Sequence, residues 1–334
     1  MVFLDSASTT KPKFFRKDYS IYWFNSNMAY GYVEQTKVQE AEDRVKKCLE
    51  VKGGHVLWFR CASEAAQWLI NSMGTGETVC YNVEHDSVYD ICAHDVTYTP
   101  TGVAYQYVNQ MTGHITPNEA LDNTAGFFFS DFTAAIGHVK LPTNLEEVCD
   151  AAFFSGHKFH AEKGIGAMWV SDELFDYLGG TDSPRNQYGL VHGTLDVAGC
   201  LMLADAMEHA CENIDSKEAE WKMLSDIILR DLRYNGIECK YIADDSPRTH
   251  AINALYLEGI EADALFNCLG VKGIYVGVGH SACADNTDYR VLEAFGCTKE
   301  DASQVIRVSF DEDTTIHDVK GLVEAIIEFK RRFI

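Results

Sequence analysis

An apolar run, Phe153-Phe154-Ser155, enters a small-residue turn that delivers Gly156-His157-Lys158, and Glu162-Lys163-Gly164-Ile165-Gly166 then leads into a second apolar run. A lysine at the mouth of an apolar sheet loses part of the hydration that keeps an ammonium charged. Its amine is then a good nucleophile for Schiff-base formation with a carbonyl. Arg307 lies within Val305-Ile306-Arg307-Val308-Ser309-Phe310, where a guanidinium on an apolar strand needs a partner. His157 and His160 are three residues apart, but no cysteine or carboxylate completes a ligand pattern around them, so no metal site is expected. Gly74-Thr75-Gly76, Gly164-Ile165-Gly166 and Gly277-Val278-Gly279 each lack the third glycine of a dinucleotide fingerprint. GxxxxGK[ST], HExxH and GxSxG are absent.

The elements that must position these residues alternate along the chain. Val38, Ala41, Val45 and Leu49 mark a helix over 34–50, stopped by Gly53 and Gly54. Strand-like runs follow at Val56–Phe59, Thr78–Tyr81 and Val96–Tyr98, with a helix opening near Ser63. Thr116-Pro117-Asn118-Glu119 carries a helix start signal. Gly126–Ser130, Ala151–Phe154 and Ile165–Val170 read as buried strands of parallel-sheet type, and Val197–His209 as a helix. After a charged stretch at Asn213–Glu218, helices are expected near 217–234, 261–268, 286–295 and 317–332. Strands are expected near 237–242, 251–257, 273–278 and 305–310. This alternation implies α/β layers, divided into a large domain over 12–213 and a small domain made of 1–11 with 214–334.

The chain has 334 residues, with 28 Lys and Arg against 50 Asp and Glu, a formal net charge of −22. Such an acidic surface repels phosphate backbones and anionic lipids, which excludes nucleic acid and membranes as expected partners. No apolar run approaches the ~20 residues of a membrane span, and the first residues lack a secretory pattern. The 11 cysteines are odd in number and form no CxxC pair, which suits reduced thiols in a cytoplasm.

The Ser155-Gly156-His157-Lys158 turn and the following KGIGAMWV resemble the cofactor-lysine segment of cysteine desulfurases, which are class V, fold-type I enzymes dependent on pyridoxal 5′-phosphate (PLP). Other landmarks occur in family order. Leu4-Asp5-Ser6-Ala7-Ser8-Thr9-Thr10 is similar to LDNAATT, Cys61-Ala62-Ser63-Glu64 to GATE, and Glu84-His85-Asp86-Ser87-Val88 to EHxxV. Asp131-Phe132-Thr133 with Gly137 and Leu141-Pro142 is similar to DxTxxxG…LP, and Gly193-Thr194-Leu195 to the GTL turn. Ser281-Ala282-Cys283 and Ile306-Arg307-Val308-Ser309-Phe310 are similar to the family's SAC and IRxSF.

The resemblance implies a large domain with a mainly parallel sheet flanked by helices, plus a smaller C-terminal α/β domain. It implies that Lys158 holds PLP, that Asp131 pairs with the pyridine nitrogen, and that His85 stacks on the ring and handles protons. Ala62 and Ser63 would receive the phosphate at a helix start, with Thr133, Ser155 and His157 completing the cofactor contacts. Thr194 would reach the phosphate of a partner subunit, hence a homodimer. Arg307 would hold the carboxylate of L-cysteine, and Cys283 would take its sulfur as a persulfide, releasing alanine and passing sulfur to an acceptor protein or small thiol.

Four departures accompany the resemblance. The strand bearing NEIG, with an asparagine that touches cofactor and substrate, and the helix after it are expected to be missing between Pro100 and Asp131. Ala134 replaces a glutamine, Val191-His192 replaces Arg-Ser, and the loop from Cys283 to Tyr289 is short. Two alternatives therefore stay open. One is another class V reaction, such as a selenocysteine lyase, an aminotransferase or a decarboxylase; the other is a degenerate PLP-fold scaffold.

Overall fold

The computed structural model describes residues 1–334 except 24, 27–30, 75, 95–98, 118–125, 281–287 and 334. The expected strand at Val96–Tyr98, the body of the helix opening at Thr116, and Cys283 lie outside the described residues.

In chain order the first part contains β1 (Val2–Phe3), α1 (Tyr32–Cys48), β2 (His55–Phe59), α2 (Ala62–Met73), β3 (Thr78–Cys80), α3 (Asp86–Tyr89), β4 (Gly102–Gln106), β5 (Phe127–Asp131), β6 (Ala151–Ser155), β7 (Gly166–Val170), α4 (Asp172–Tyr177) and α5 (Val197–Cys211). The second contains α6 (Ile214–Tyr234), β8 (Cys239–Tyr241), β9 (Ile252–Leu257), α7 (Ala262–Val271), β10 (Ile274–Tyr275), β11 (Gly277–Val278), α8 (Arg290–Ala294), α9 (Lys299–Ala302), β12 (Val305–Ser309) and α10 (Ile316–Phe333).

Among the described residues, six strands form the central sheet in the order β2-β7-β6-β5-β4-β3. Pairs among β3, β4, β5 and β6 are parallel, whereas β7 is antiparallel to both β6 and β2. Ile165–Val170, expected as a strand of parallel type, is thus corrected to the one reversed strand of this sheet. The cause is chain length: the connection 156–165 is shorter than the dozen or so residues that a parallel crossover requires. Burial on both faces produces the continuous apolar runs. Leu57, Phe153 and Met168 face the core beneath α2, while Val56, Phe154 and Trp169 face the larger core that includes α1 and α5.

The sheet also has a strand that the sequence reading lacked. Gly102–Gln106 forms β4 beside β5, with Gln106 opposite Asp131. It runs into Asn109-Gln110-Met111-Thr112-Gly113, so the expected loss of a strand from this stretch is corrected. Asn109 is nevertheless turned inward. Its Nδ2 donates to Val83 O and Gln106 Oε1, and its Oδ1 accepts from the Met111 and Thr112 amides. These bonds bend the chain after β4 and hold it against the segment that carries His85.

In the second part β11, β12, β9 and β8 form an antiparallel sheet, and β1 pairs with β10. The strand expected at 273–278 is split between two sheets at Val276. Glu312 ties the parts together by meeting Lys13, His209 and Lys217. Against the upward push of burial, hydrogen bonds from these three hold its carboxyl at about 2. No helix among the described residues is long and apolar enough to cross a membrane.

Candidate active site

Because β7 alone is reversed, β2, β3, β4, β5 and β6 all end on one edge of the sheet. Their C-terminal ends lead to Ala62, His85, Asn109, Asp131 and Lys158 respectively. Such an edge is where open α/β sheets bind ligands, since the turns leaving the strands are free to vary there.

Lys158 follows β6 in a single tight turn, and its Nζ donates to Ala7 O. Burial lowers its pKa to about 8; the Arg307 charge adds to that shift, while Asp131 and Asp5 oppose it. The amine is therefore partly neutral near physiological pH. In cofactor-free protein, capture of PLP should accelerate as pH rises through about 8 and level off above it, because only the neutral amine attacks a carbonyl. Stopped-flow absorbance checks this, and a rate flat across that range would contradict it.

The lysine turn is laced to the N-terminal segment. His157 O accepts from the Thr10 amide at 2.9 Å and hydroxyl at 3.0 Å, and His157 Nδ1 lies 3.1 Å from Thr9 Oγ1. Burial, with the charges of Lys158 and Lys163, lowers the His157 pKa to about 4, so its imidazole is neutral. Ser155 Oγ accepts from the Ala62 amide at 2.7 Å, which joins the lysine turn to the start of α2. Gly166 is needed at this junction, since a Cβ there would lie 2.9 Å from Cys61 backbone atoms and 2.7 Å from Phe154 O.

Asp131 ends β5 and is 6% exposed, and its Oδ1 accepts from the Thr133 amide at 2.8 Å. Thr133 Oγ1 is buried with no hydrogen-bond partner among the described residues. Beside Asp131, Glu84 is 1% exposed. Burial, then the Asp131 charge, pushes its pKa well up, which favours its protonated form. His85 caps α3: its Nδ1 accepts from the Ser87 amide at 3.1 Å, which places the imidazole proton on Nε2.

Arg307 on β12 has the partner its position demands. Nε and Nη2 donate to Asp5 Oδ1 at 3.2 and 2.7 Å, and Nη1 donates to Gln110 O at 3.2 Å. A guanidinium has five N–H groups, so one remains on each terminal nitrogen and is available to a carboxylate. The role of Asp5 is not legible in the sequence: it stands in the Leu4–Thr10 segment, and nothing in the pattern links it to a strand near the other end of the chain.

The structure thus brings Lys158, Asp131, Arg307 and Asp5 within electrostatic reach of one another, and His85, Ser155 and Ala62 onto the same edge. Ser63 is exposed in the first turn of α2. Thr194 and His192 are exposed on the loop before α5, and no described hydrogen bond joins Thr194 to the cluster. Ala134 is buried in the core and offers no polar atom.

The aminotransferase class-V family model matches residues 89–322, more than half of the chain. The chain belongs to the class V aminotransferase family. Among its relatives, the cysteine desulfurase IscS of Clostridium botulinum (strain Kyoto / Type A2) is 24% identical, with 97% of this chain and 93% of that protein aligned. A cysteine desulfurase of Gluconacetobacter diazotrophicus is 30% identical over 78% of this chain and 66% of its own length. Among solved structures, a NifS-like protein superimposes with a TM-score of 0.82 at 22% identity, covering 99% of both chains. A NifS-like protein from Rickettsia africae gives 0.83 at 18% identity, also with 99% of both covered. These likenesses establish the fold-type I architecture, a large domain with a mainly parallel sheet and a smaller C-terminal α/β part.

The family's cofactor is PLP, and this class V chain fits it. A half-buried lysine of lowered pKa suits its aldehyde, and a buried carboxylate suits its ring nitrogen. The exposed start of α2, a 12-residue helix with Ser63 in its first turn, suits its phosphate. The orphaned Thr133 hydroxyl next to Asp131 is a polar atom that such a group would satisfy.

Proposed function

We propose that the protein is a PLP-dependent cysteine desulfurase that converts L-cysteine to L-alanine and carries the sulfur as a persulfide on Cys283 before passing it to an acceptor. The observation that carries this reading is Lys158, half-buried and within electrostatic reach of Arg307 and Asp131, with its pKa lowered to about 8. Bound there, PLP would supply an electron sink for negative charge developing at the substrate's α-carbon.

In this reading the large domain, 12–213, holds the cofactor. Ala62, Ser63, Ser155 and His157 would hold its phosphate end and Thr133 and Asp131 its ring, where the Asp131 carboxylate would keep the ring nitrogen protonated. Arg307 fixes the substrate carboxylate with its two remaining N–H groups and so aims the α-hydrogen at Lys158. Lys158 moves that proton, helped by His85, whose Nδ1 is tied to the backbone and whose Nε2 remains for exchange.

Residues 1–11 and 214–334 form the small domain and bring Cys283. Its thiolate attacks the substrate sulfur: an S–S bond forms and the Cβ–S bond breaks. The electron pair of the broken bond stays on Cβ, which takes a proton and becomes the methyl group of alanine. The persulfide then leaves to a sulfur-acceptor protein or a small thiol. In Cys283→Ser the protein should still bind PLP and shift its absorbance with L-cysteine, yet release no sulfide and carry no persulfide. Parental sulfide release from that variant would overturn the thiol-transfer mechanism.

Thr194 in the GTL-like turn supports a homodimer in which each copy completes the other's phosphate site. Sedimentation should give a particle of twice the 37.4 kDa chain; an active monomer would contradict it. The free thiols among the described cysteines suit a cytoplasmic protein. One observation favours a second reading, a class V reaction on another amino acid. Asn109 is fully engaged by Val83, Gln106, Met111 and Thr112, and Ala134 offers the cofactor hydroxyl nothing, so substrate orientation here rests more heavily on Arg307. In that case Cys283→Ser would leave turnover of the true substrate unchanged.

A further inference from the structure

We propose that Arg290, at the start of α8 in the C-terminal part, is the positioning residue that sets His85 in place; the proposal rests on His85 serving the site as described above. The segment between β3 and α3 has little structure of its own, and α3 itself is only four residues long, too short to be stable alone. Its geometry must come from outside, and side chains hold three successive carbonyls. Arg290 Nη1 donates to Asn82 O, Asn109 Nδ2 to Val83 O at 3.0 Å, and Arg290 Nη2 to Glu84 O at 2.9 Å.

The same guanidinium pairs with the Asp86 carboxylate at 2.8 Å and lies over the Tyr89 ring, 3.8 Å from its centroid. Its partners therefore flank His85 on both sides: residues 82 and 84 before it, 86 and 89 after it. Arg290 is 14% exposed, so this is a largely desolvated clasp rather than a surface pair. Lysine cannot reproduce it, because one ammonium cannot span two carbonyls and a carboxylate while stacking flat on a ring. The clasp also joins the part of the chain that bears Cys283 and Arg307 to the loop that bears His85.

The test uses hydrogen–deuterium exchange of the PLP-loaded and PLP-free protein, read by mass spectrometry over residues 82–90, together with steady-state kinetics on L-cysteine. Arg290→Ala should speed exchange in this peptide about tenfold or more in both forms while leaving distant peptides unchanged. It should lower kcat about tenfold or more with KM within about twofold, since His85 acts after binding. Arg290→Lys should recover only part of both losses. If Arg290→Ala does not fold, Tyr89→Leu, which keeps the carbonyl bonds and removes the ring, should give a smaller change in the same direction. Parental exchange and parental kcat in Arg290→Ala, or in Tyr89→Leu where that variant stands in, would overturn the proposal. Accelerated exchange in a protein whose parent releases no sulfide from L-cysteine would leave the clasp standing and defeat the desulfurase reading instead.

Discussion

Lys158→Ala is expected to abolish the visible absorbance of the purified protein and all turnover. The effect should be total, because the amine serves both as the covalent anchor of the cofactor and as the base that moves the α-proton. A methyl group supplies neither. The substitution should not unfold the chain: an amine whose pKa falls to about 8 is already poorly solvated, so its removal relieves a desolvation cost while losing one bond to Ala7 O. Absorbance and turnover should therefore vanish while the melting temperature stays at that of the PLP-free parent. A variant that keeps its colour and turns over at the parental rate would place the anchor elsewhere.

Asp131→Ala should reduce turnover by about a thousandfold or more while leaving some cofactor bound. Without a carboxylate at the ring nitrogen, the ring accepts less of the charge that develops on the substrate. A loss of several kcal/mol, at ~1.4 kcal/mol per decade, gives a factor of that size. Asp131 also accepts from the Thr133 amide, so Asp131→Asn separates the roles: it keeps an oxygen for that amide and removes the charge. Both variants should be slow if charge is the cause. An Asp131→Asn protein with parental kcat would show that the carboxylate only shapes the turn.

Local pattern made much of this legible. The apolar runs of β2, β5, β6 and β7 are continuous because both faces of the sheet are buried, and the lysine turn stands out between two of them. The direction of β7 was not legible from its composition, since a buried antiparallel strand reads the same as a parallel one; only the length of 156–165 excludes a crossover. β4 was missed because Gly102-Val103-Ala104-Tyr105-Gln106 is short and ends on a polar residue. The partners of the site were the least legible. Asp5 meets Arg307, and Arg290 meets the His85 loop, across separations of more than two hundred residues, and no local periodicity encodes such contacts. Cys283, Ala62, Ser63 and Thr194 were singled out through family resemblance, and their roles stand as proposals.

The central claim is that sulfur passes from L-cysteine to Cys283 at a PLP site built on Lys158. A single-turnover incubation of the PLP-loaded protein with L-cysteine, without added thiol, tests it most directly. The quenched protein is digested without reductant, the Cys283 peptide is weighed, and alanine is counted in the supernatant. The account predicts a Cys283 peptide heavier by one sulfur atom and one alanine released for each persulfide formed. Alanine without a sulfur-bearing Cys283 peptide, or a cysteine substrate returned unchanged, would contradict it.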